Sequence, residues 1–326
     1  MRCASIAHSP ATSERARASA TLGDVDALVN TAAVTLADSS SAALDVALNP
    51  TGGSSLIFTE IAPASPPSKS GNQYYYGGYF RITNASDTVV ALANKIWFDA
   101  YGGYIRSPIV PNGCSYFEAL ERGPGGIWTR YVYRFPPDAT PLQPGASALL
   151  ATDAIDHRSF GGAGFRDLSR ADFEFVFGDD IDSPLSLNMI SIGPREYEFA
   201  HGWQVRRGRQ GWGLATAVGM DTLPKIVRLP FDASQSTWVR IPKAALLEVV
   251  RYDWAIPHFD PLVVDCPSPI LSDIDAEDAK LLTIEDTLTI HRRISRTLPN
   301  GRIVYQRARN SQADWIAGKA TPGLIP

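Results

Sequence analysis

The residues best suited to chemistry in this sequence are guanidiniums and aromatic rings rather than nucleophiles. Arg195, Arg206, Arg207 and Arg209 place four guanidiniums within fifteen positions of an otherwise acidic chain, and Trp203 and Trp212 flank them. Arg and Trp combine large contact area with directed hydrogen bonds, a composition in which protein interfaces are enriched. The alternative is a solvated turn beside two core tryptophans. A second cluster gathers Tyr74, Tyr75, Tyr76 and Tyr79 with Tyr101 and Tyr104 around paired glycines. Strand alternation sends about half of such rings into a core, and the others, with Tyr74, Tyr76, Tyr101 and Tyr104 as candidates, must face solvent or a partner.

Catalytic patterns are absent by comparison. A serine hydrolase needs a nucleophile on a strained elbow beside a His and a carboxylate, and the sequence has no Gly-x-Ser-x-Gly. His8, His157, His201, His258 and His291 are scattered. Asp153-Ala154-Ile155-Asp156-His157 could be a His oriented by carboxylates, but no motif gathers a Ser beside it, so a hydrolase with an unlinked Ser, His and Asp is the least favoured function. The glycine-rich stretches 161–165 and 208–213 lack the Walker pattern and the dinucleotide fingerprint and read as loop hinges. Acidic clusters at 178–183 and 273–278 offer oxygen ligands without the EF-hand frame, so solvated loops are expected there. No catalytic residue, metal site or cofactor is expected.

Cys3, Cys114 and Cys266 form no Cys-x-x-Cys pair, which argues against zinc. In an oxidising compartment Cys114 and Cys266 are the natural disulfide pair, since both sit in Pro/Gly-rich loops. Cys3 is then left over, as the acylated cysteine of a bacterial lipoprotein or as a free thiol in a mobile arm.

The chain has 326 residues, 44% hydrophobic and 20% charged, with 30 Lys+Arg against 34 Asp+Glu for a net charge of -4. This balance gives no drive toward nucleic acid, which is held through many cationic contacts to phosphate. No run of about 18 apolar residues occurs, so neither a transmembrane helix nor an intact signal peptide is expected.

The elements that must position these residues are short strands. Residues 1–50 contain no Phe, Tyr or Trp and cannot build a core alone, so residues 1–30 read as an extended arm. Residues 31–54 read as a hairpin, with strands at 33–37 and 43–48, and a linker. From Leu56 onward, aromatic and β-branched runs such as Tyr79-Phe80-Arg81-Ile82-Thr83 and Lys95-Ile96-Trp97-Phe98-Asp99 alternate with Gly and Pro, predicting an antiparallel sandwich. A helix is expected over 242–250, begun by Pro242, and a second over 273–280.

Five stretches carry a resemblance. They are Leu56-Ile57-Phe58-Thr59-Glu60-Ile61; Tyr75-Tyr76-Gly77-Gly78-Tyr79-Phe80 with its Asn84-Ala85-Ser86-Asp87 turn; the segments 151–157 and 168–174; and the C-terminal run from His291-Arg292-Arg293 to Asn310-Ser311-Gln312-Ala313-Asp314-Trp315. In element order, including the helix expected over 241–250, they resemble an uncharacterised bacterial envelope family related to the lamin-tail, immunoglobulin-like sandwich. The resemblance spans about residues 55–316, leaving 317–326 as a tail. It departs at Arg307, where relatives carry an acidic residue before the Asn-Ser. It implies an all-β, immunoglobulin-like extracytoplasmic sandwich with long loops, one or two short helices and no known catalysis. The expected function is a non-catalytic scaffold subunit in the periplasm or at the cell surface. It is membrane-extrinsic and bound to other proteins of an envelope complex, for example a photosynthetic or respiratory one, through the arm and the Tyr and Arg/Trp surface. A carbohydrate-binding module with exposed rings is the alternative.

Deleting residues 1–30 is expected to leave the thermal midpoint of the sandwich nearly unchanged while weakening retention in its complex. A sandwich that unfolds at ordinary temperature without these residues assigns them to the core instead.

Overall fold

Alternating apolar runs become strands on both sides of shared cores. The computed structural model describes residues 14–16, 19–22, 25–28, 32–34, 55–62, 76–101, 125–159, 165–176, 182–194, 208–227, 237–254, 268, 270–281 and 288–323. The chain divides into two compact units, Met1–Gly53 and Ser54–Pro326.

In the first unit, β1 (Glu14–Ala16) pairs antiparallel with β4 (Ala32–Val34), and β2 (Ser19–Leu22) pairs with β3 (Val25–Leu28). The segment read as an arm therefore carries strand pairs of its own. Ala32–Val34 takes Glu14–Ala16 as its partner, and residues 43–48, expected to pair there, lie outside the described residues.

The second unit runs through β5 (Leu56–Ala62), β6 (Tyr79–Asn84), β7 (Ile96–Tyr101), β8 (Gly126–Thr129), β9 (Tyr131–Arg134), β10 (Ser147–Ala151), β11 (Phe173–Glu174), β12 (Leu187–Asn188) and β13 (Ile190–Ser191). It continues through β14 (Gly208–Ala215), β15 (Lys225–Val227), β16 (Thr237–Pro242), β17 (Leu246–Trp254), β18 (Ala279–Leu281), β19 (Leu288–Arg292), β20 (Ile294–Thr297) and β21 (Ile303–Tyr305), and ends with helix α1 (Ser311–Asp314) and β22 (Trp315–Lys319).

Among the described residues, a seven-stranded sheet has the order β12-β11-β10-β6-β5-β19-β22 and a six-stranded sheet the order β13-β9-β7-β14-β17-β18. Most pairs are antiparallel, while β10-β11, β11-β12 and β17-β18 are parallel. The inner faces of the two sheets share one core. Phe80 of β6 meets Trp97 of β7 at 5.3 Å between ring centroids and Trp212 of β14 at 5.5 Å. Trp97 and Tyr133 in turn close on Phe175, each at 4.8 Å. The fold is an all-β sandwich.

The opposite face of the six-stranded sheet is also covered. Ile96, Phe98, Ala100 and Val132 pack with Ile127, Val239 and Ile241 of a three-stranded sheet ordered β15-β16-β8. On the outer face of the large sheet, Ala62, Tyr79, Leu149 and Ala151 pack under Ala154, Leu168 and Ala171.

Three expectations are corrected here. The helix expected over 242–250 is a short 3-10 turn, Lys243–Ala245, followed by β17, which pairs with β14 through Tyr252↔Gln210 and Val250↔Trp212. The run Leu246, Leu247, Val249, Val250 mimics a helical stripe, but β-branched Val249 and Val250 and the alternation Val250, Tyr252, Trp254 fit a strand lying against β14. The second expected helix, 273–280, is a turn leading into β18, because the Asp275 and Asp278 carboxylates are drawn to Arg251. The boundary expected at residue 316 falls inside β22, which stays paired with β19 to Lys319. The helix that does form, α1, is capped by the Asn310 side chain, which accepts from the Ala313 N–H at 3.1 Å.

Gly208, Gly211 and Gly213, expected in a loop hinge, lie inside β14. A Cβ on Gly213 would stand 2.1 Å from Phe98 Cζ, its cross-strand neighbour, and that ring has no exposed surface. Gly213→Ala is therefore expected to cost about 1–3 kcal/mol through overpacking, seen as a lower denaturant midpoint with an unchanged m-value. An unchanged midpoint would show that the Phe98 ring has room to turn aside.

Candidate functional site

The three-stranded sheet builds the arrangement that best matches an interface. Ile127, Val239 and Ile241 face the core, so period-two alternation turns Trp128 and Arg130 of one stretch, and Trp238 and Arg240 of another, to the opposite face. The antiparallel register sets Arg240 across from Trp128 and Val239 across from Thr129. The two pairs then cross. The Arg240 guanidinium stands over the Trp128 ring at 5.5 Å, and that of Arg130 over the Trp238 ring at 5.3 Å and the Tyr131 ring at 4.9 Å.

Trp128 and Trp238 are buried, whereas Arg130 and Arg240 are half-buried. A guanidinium stacked on an indole keeps its edge donors in the ring plane and loses little rotamer freedom on binding. Among the described residues, nothing accepts a hydrogen bond from the Trp128 Nε1.

The sequence-predicted residues fare differently. Arg195, Trp203, Arg206, Arg207, Tyr74, Tyr104, Cys114 and Cys266 lie outside the described residues. Tyr101 and Arg209 are placed by their backbone only; Tyr101 ends β7 opposite Gln210, so the topology brings it to the strand that carries Arg209. Tyr76 is half-buried against the main core. Trp212 is a correction. It is fully buried between the sheets, stacked with Phe80 and Tyr252, and has no face to offer a partner.

Arg130, Arg240, Trp128 and Trp238 were not singled out by composition. Their signal is the repeated triplet Trp-x-Arg, at Trp128-Thr129-Arg130 and Trp238-Val239-Arg240. Among side chains described, no Phe, Tyr or Trp is exposed, and Tyr76 and Tyr305 are half-buried, so no ring there forms an open stacking platform for sugars.

Other ionisable clusters are engaged in holding the chain. His157 is buried, and its Nε2 donates to the Asp153 carbonyl at 2.9 Å. Burial pulls His157 below its ordinary value, against the hydrogen bond to Asp153 and the charge of Asp156. Asp156 forms a fork with Arg158, which holds its carboxyl down at about 2.

In the acidic segment 273–278, Asp273 pairs with Lys243 at 2.7 Å and Asp278 with Arg251 at 2.8 Å. Asp275 accepts from the Ser311 N–H at 2.8 Å, from the Ser311 hydroxyl and from the Arg251 N–H at 3.0 Å. Nearby, Arg292 donates to the Phe58 and Gln306 carbonyls, pairs with Glu248 and lies over the Trp315 ring at 4.7 Å. Asp314 accepts from the Ala308 N–H at 2.8 Å. The stretch Asn310-Ser311-Gln312-Ala313-Asp314-Trp315 is thus a clasp joining β17, β18 and β22. Arg307 stands within reach of the same carboxylates; burial pulls it below its ordinary value, and Glu248 is the leading opposing charge.

No family model matches the sequence, and no curated protein matches it. Among solved structures, the fold is similar to the crystal structure of a DUF4876 family protein, an uncharacterised family, from Bacteroides thetaiotaomicron. The TM-score is 0.62 at 18% identity, over 91% of this chain and 83% of that chain. At this identity the likeness establishes the fold alone.

Burial pushes the Asp275 carboxyl up to about 6, against the hydrogen bonds from Ser311 and Arg251. A folded-state value above the unfolded one means that this group's stabilising contribution is full below about pH 4 and is lost as pH rises through 6. The expected size is up to about 3 kcal/mol. Asp275→Asn should lack this gain, so the difference in unfolding free energy between wild type and variant should widen from pH 7 to pH 4.5. Parallel pH profiles would show that Asp275 does not take up a proton on folding.

Proposed function

We propose that this chain is a non-catalytic, extracytoplasmic protein-binding module, an immunoglobulin-like sandwich of the lamin-tail type acting as a membrane-extrinsic scaffold subunit of a bacterial envelope assembly. The observation that carries the binding role is the crossed Trp-Arg ladder of Trp128, Arg240, Trp238 and Arg130. Trp and Arg dominate the energetic centres of protein interfaces, where a ring excludes water and a guanidinium supplies directed hydrogen bonds. Here each ring is buried and each guanidinium is half-buried beside it, so little ordering remains to be done on docking.

The sandwich supports the scaffold role through rigidity. Its three-stranded sheet is fixed to the six-stranded one by a continuous apolar core, which holds the ladder at a constant orientation. Among the described residues, no helix is long and apolar enough to cross a membrane.

Native mass measurement after gentle extraction from the source cells tests the reading. The chain is expected within an assembly of defined mass. A variant carrying both Arg130→Ala and Arg240→Ala should leave that assembly while its thermal midpoint moves by only a few degrees. A lone monomer in every preparation, or undiminished retention of the double variant, rejects the proposal.

A further inference from the structure

The outer face of the large sheet carries buried charge that neither the ladder nor the C-terminal clasp uses. Glu60 is 2% exposed and follows a bulge in β5 that re-aims its side chain toward β6. Its carboxylate accepts from the Tyr79 hydroxyl and from Arg81 Nε at 3.1 Å. Two more bonds come from one residue beyond β22. The Thr321 N–H donates to Glu60 Oε1 at 2.7 Å, and the Thr321 hydroxyl to Oε2 at 2.7 Å. Arg81 Nη2 closes the ring by donating to the Thr321 carbonyl.

The N–H, carbonyl and hydroxyl of a single residue are therefore read by two oppositely charged side chains on neighbouring strands. Tyr79 Oη also lies 3.1 Å from the Thr321 nitrogen, and Ala320 packs on the apolar cluster beside it. Burial pushes the Glu60 carboxyl up, but the bonds from Tyr79 and Thr321 outweigh it and leave the group below its ordinary value. Burial and the charge of Glu60 raise the Tyr79 phenol well above its own, so Tyr79 stays a donor.

Without Thr321, Glu60 and Arg81 would lose three hydrogen bonds in a desolvated site, an arrangement that strongly favours being filled. Pro322 follows Thr321 and confines it to extended backbone, so the segment arrives already shaped. β22 ends at Lys319 on the edge of the large sheet, so residues 320–323 can leave without unpairing the strand.

We infer that Glu60, Tyr79 and Arg81 form a recognition site for an extended, threonine-bearing segment, filled in cis by residues 320–323 and able to take the same segment from a second copy of the chain. Exchange in trans needs no envelope partner, so it stands or falls separately from the scaffold role. In the full chain the tethered segment competes at a high effective concentration, which masks binding from outside.

The experiment removes that competitor. A chain ending at Lys319 is titrated against a fluorescent synthetic peptide of residues 318–326, with anisotropy as the readout. Saturable binding is expected, weakened about tenfold or more when the peptide carries Thr321→Val or when the chain carries Glu60→Gln. Should the shortened chain fail to fold, the full-length Thr321→Glu variant takes its place, since a carboxylate facing Glu60 expels the tethered segment and leaves the site open. Absence of saturable binding by the folded chain used, or equal binding of the Thr and Val peptides, overturns the inference.

Discussion

The ring of Phe80 bridges the two large sheets, meeting Trp97 and Trp212 at 5.3 and 5.5 Å between centroids. Edge-on packing of rings this large sets the spacing of the layers and leaves no room for water between them. The strands that carry them are covered on both sides, since every residue of β5 and β6 is buried. That constraint reaches the polar residues. Glu60, Arg81 and Thr83 alternate with the core rings and must find partners within the protein, because an unpaired buried charge is far costlier than any single contact is favourable. The Glu60 cradle and the hydroxyl chain Thr59, Thr83 and Ser147, linked at 2.7 and 2.8 Å, are consequences of the aromatic core on the other side of the same strands.

Carboxylates do in this fold much of what helix caps and tight turns do elsewhere. Asp172 accepts from the Leu149 N–H at 2.7 Å, and Glu174 from those of Ala154 and Ser183, both at 2.9 Å. Asp275 and Asp314 do the same for Arg251, Ser311 and Ala308. Each carboxylate fixes a connection by satisfying backbone donors that a short irregular segment leaves exposed to the core. Connections among the described residues can then cross buried surface without forming helices.

Most strands were legible because aromatic and β-branched residues recur at period two between Gly and Pro, as in Tyr79-Phe80-Arg81-Ile82-Thr83. The class of fold followed from that alone. The run 242–250 misled because four aliphatic residues at helical spacing are equally a strand with both faces covered, and only the partner strand β14 distinguishes the two. Trp212 was read as an interface residue from its proximity to arginines in sequence, whereas alternation along β14 sends it inward. The ladder escaped for the converse reason. Each Trp-x-Arg triplet is ordinary alone, and nothing in the sequence states that β8 and β16, more than a hundred residues apart, lie side by side. The Glu60 cradle was hidden for the same reason, since Thr321 reaches it across 261 positions.

The ladder and the core beneath it are one structure. A slip of β16 by one residue against β8 would turn Trp238 and Arg240 toward Phe98 and Ile96, and bring Val239 and Ile241 to the outer face. Burying a guanidinium in that apolar core is prohibitive, so the apolar residues that fix the register also fix which arginine stacks on which indole. The crossed pairing itself is a property of antiparallel strands: equal Trp-x-Arg spacing on two opposed strands puts each cation across from the other strand's ring, whereas parallel strands in the same register would set ring beside ring and charge beside charge. The ladder therefore inherits its geometry from strand direction.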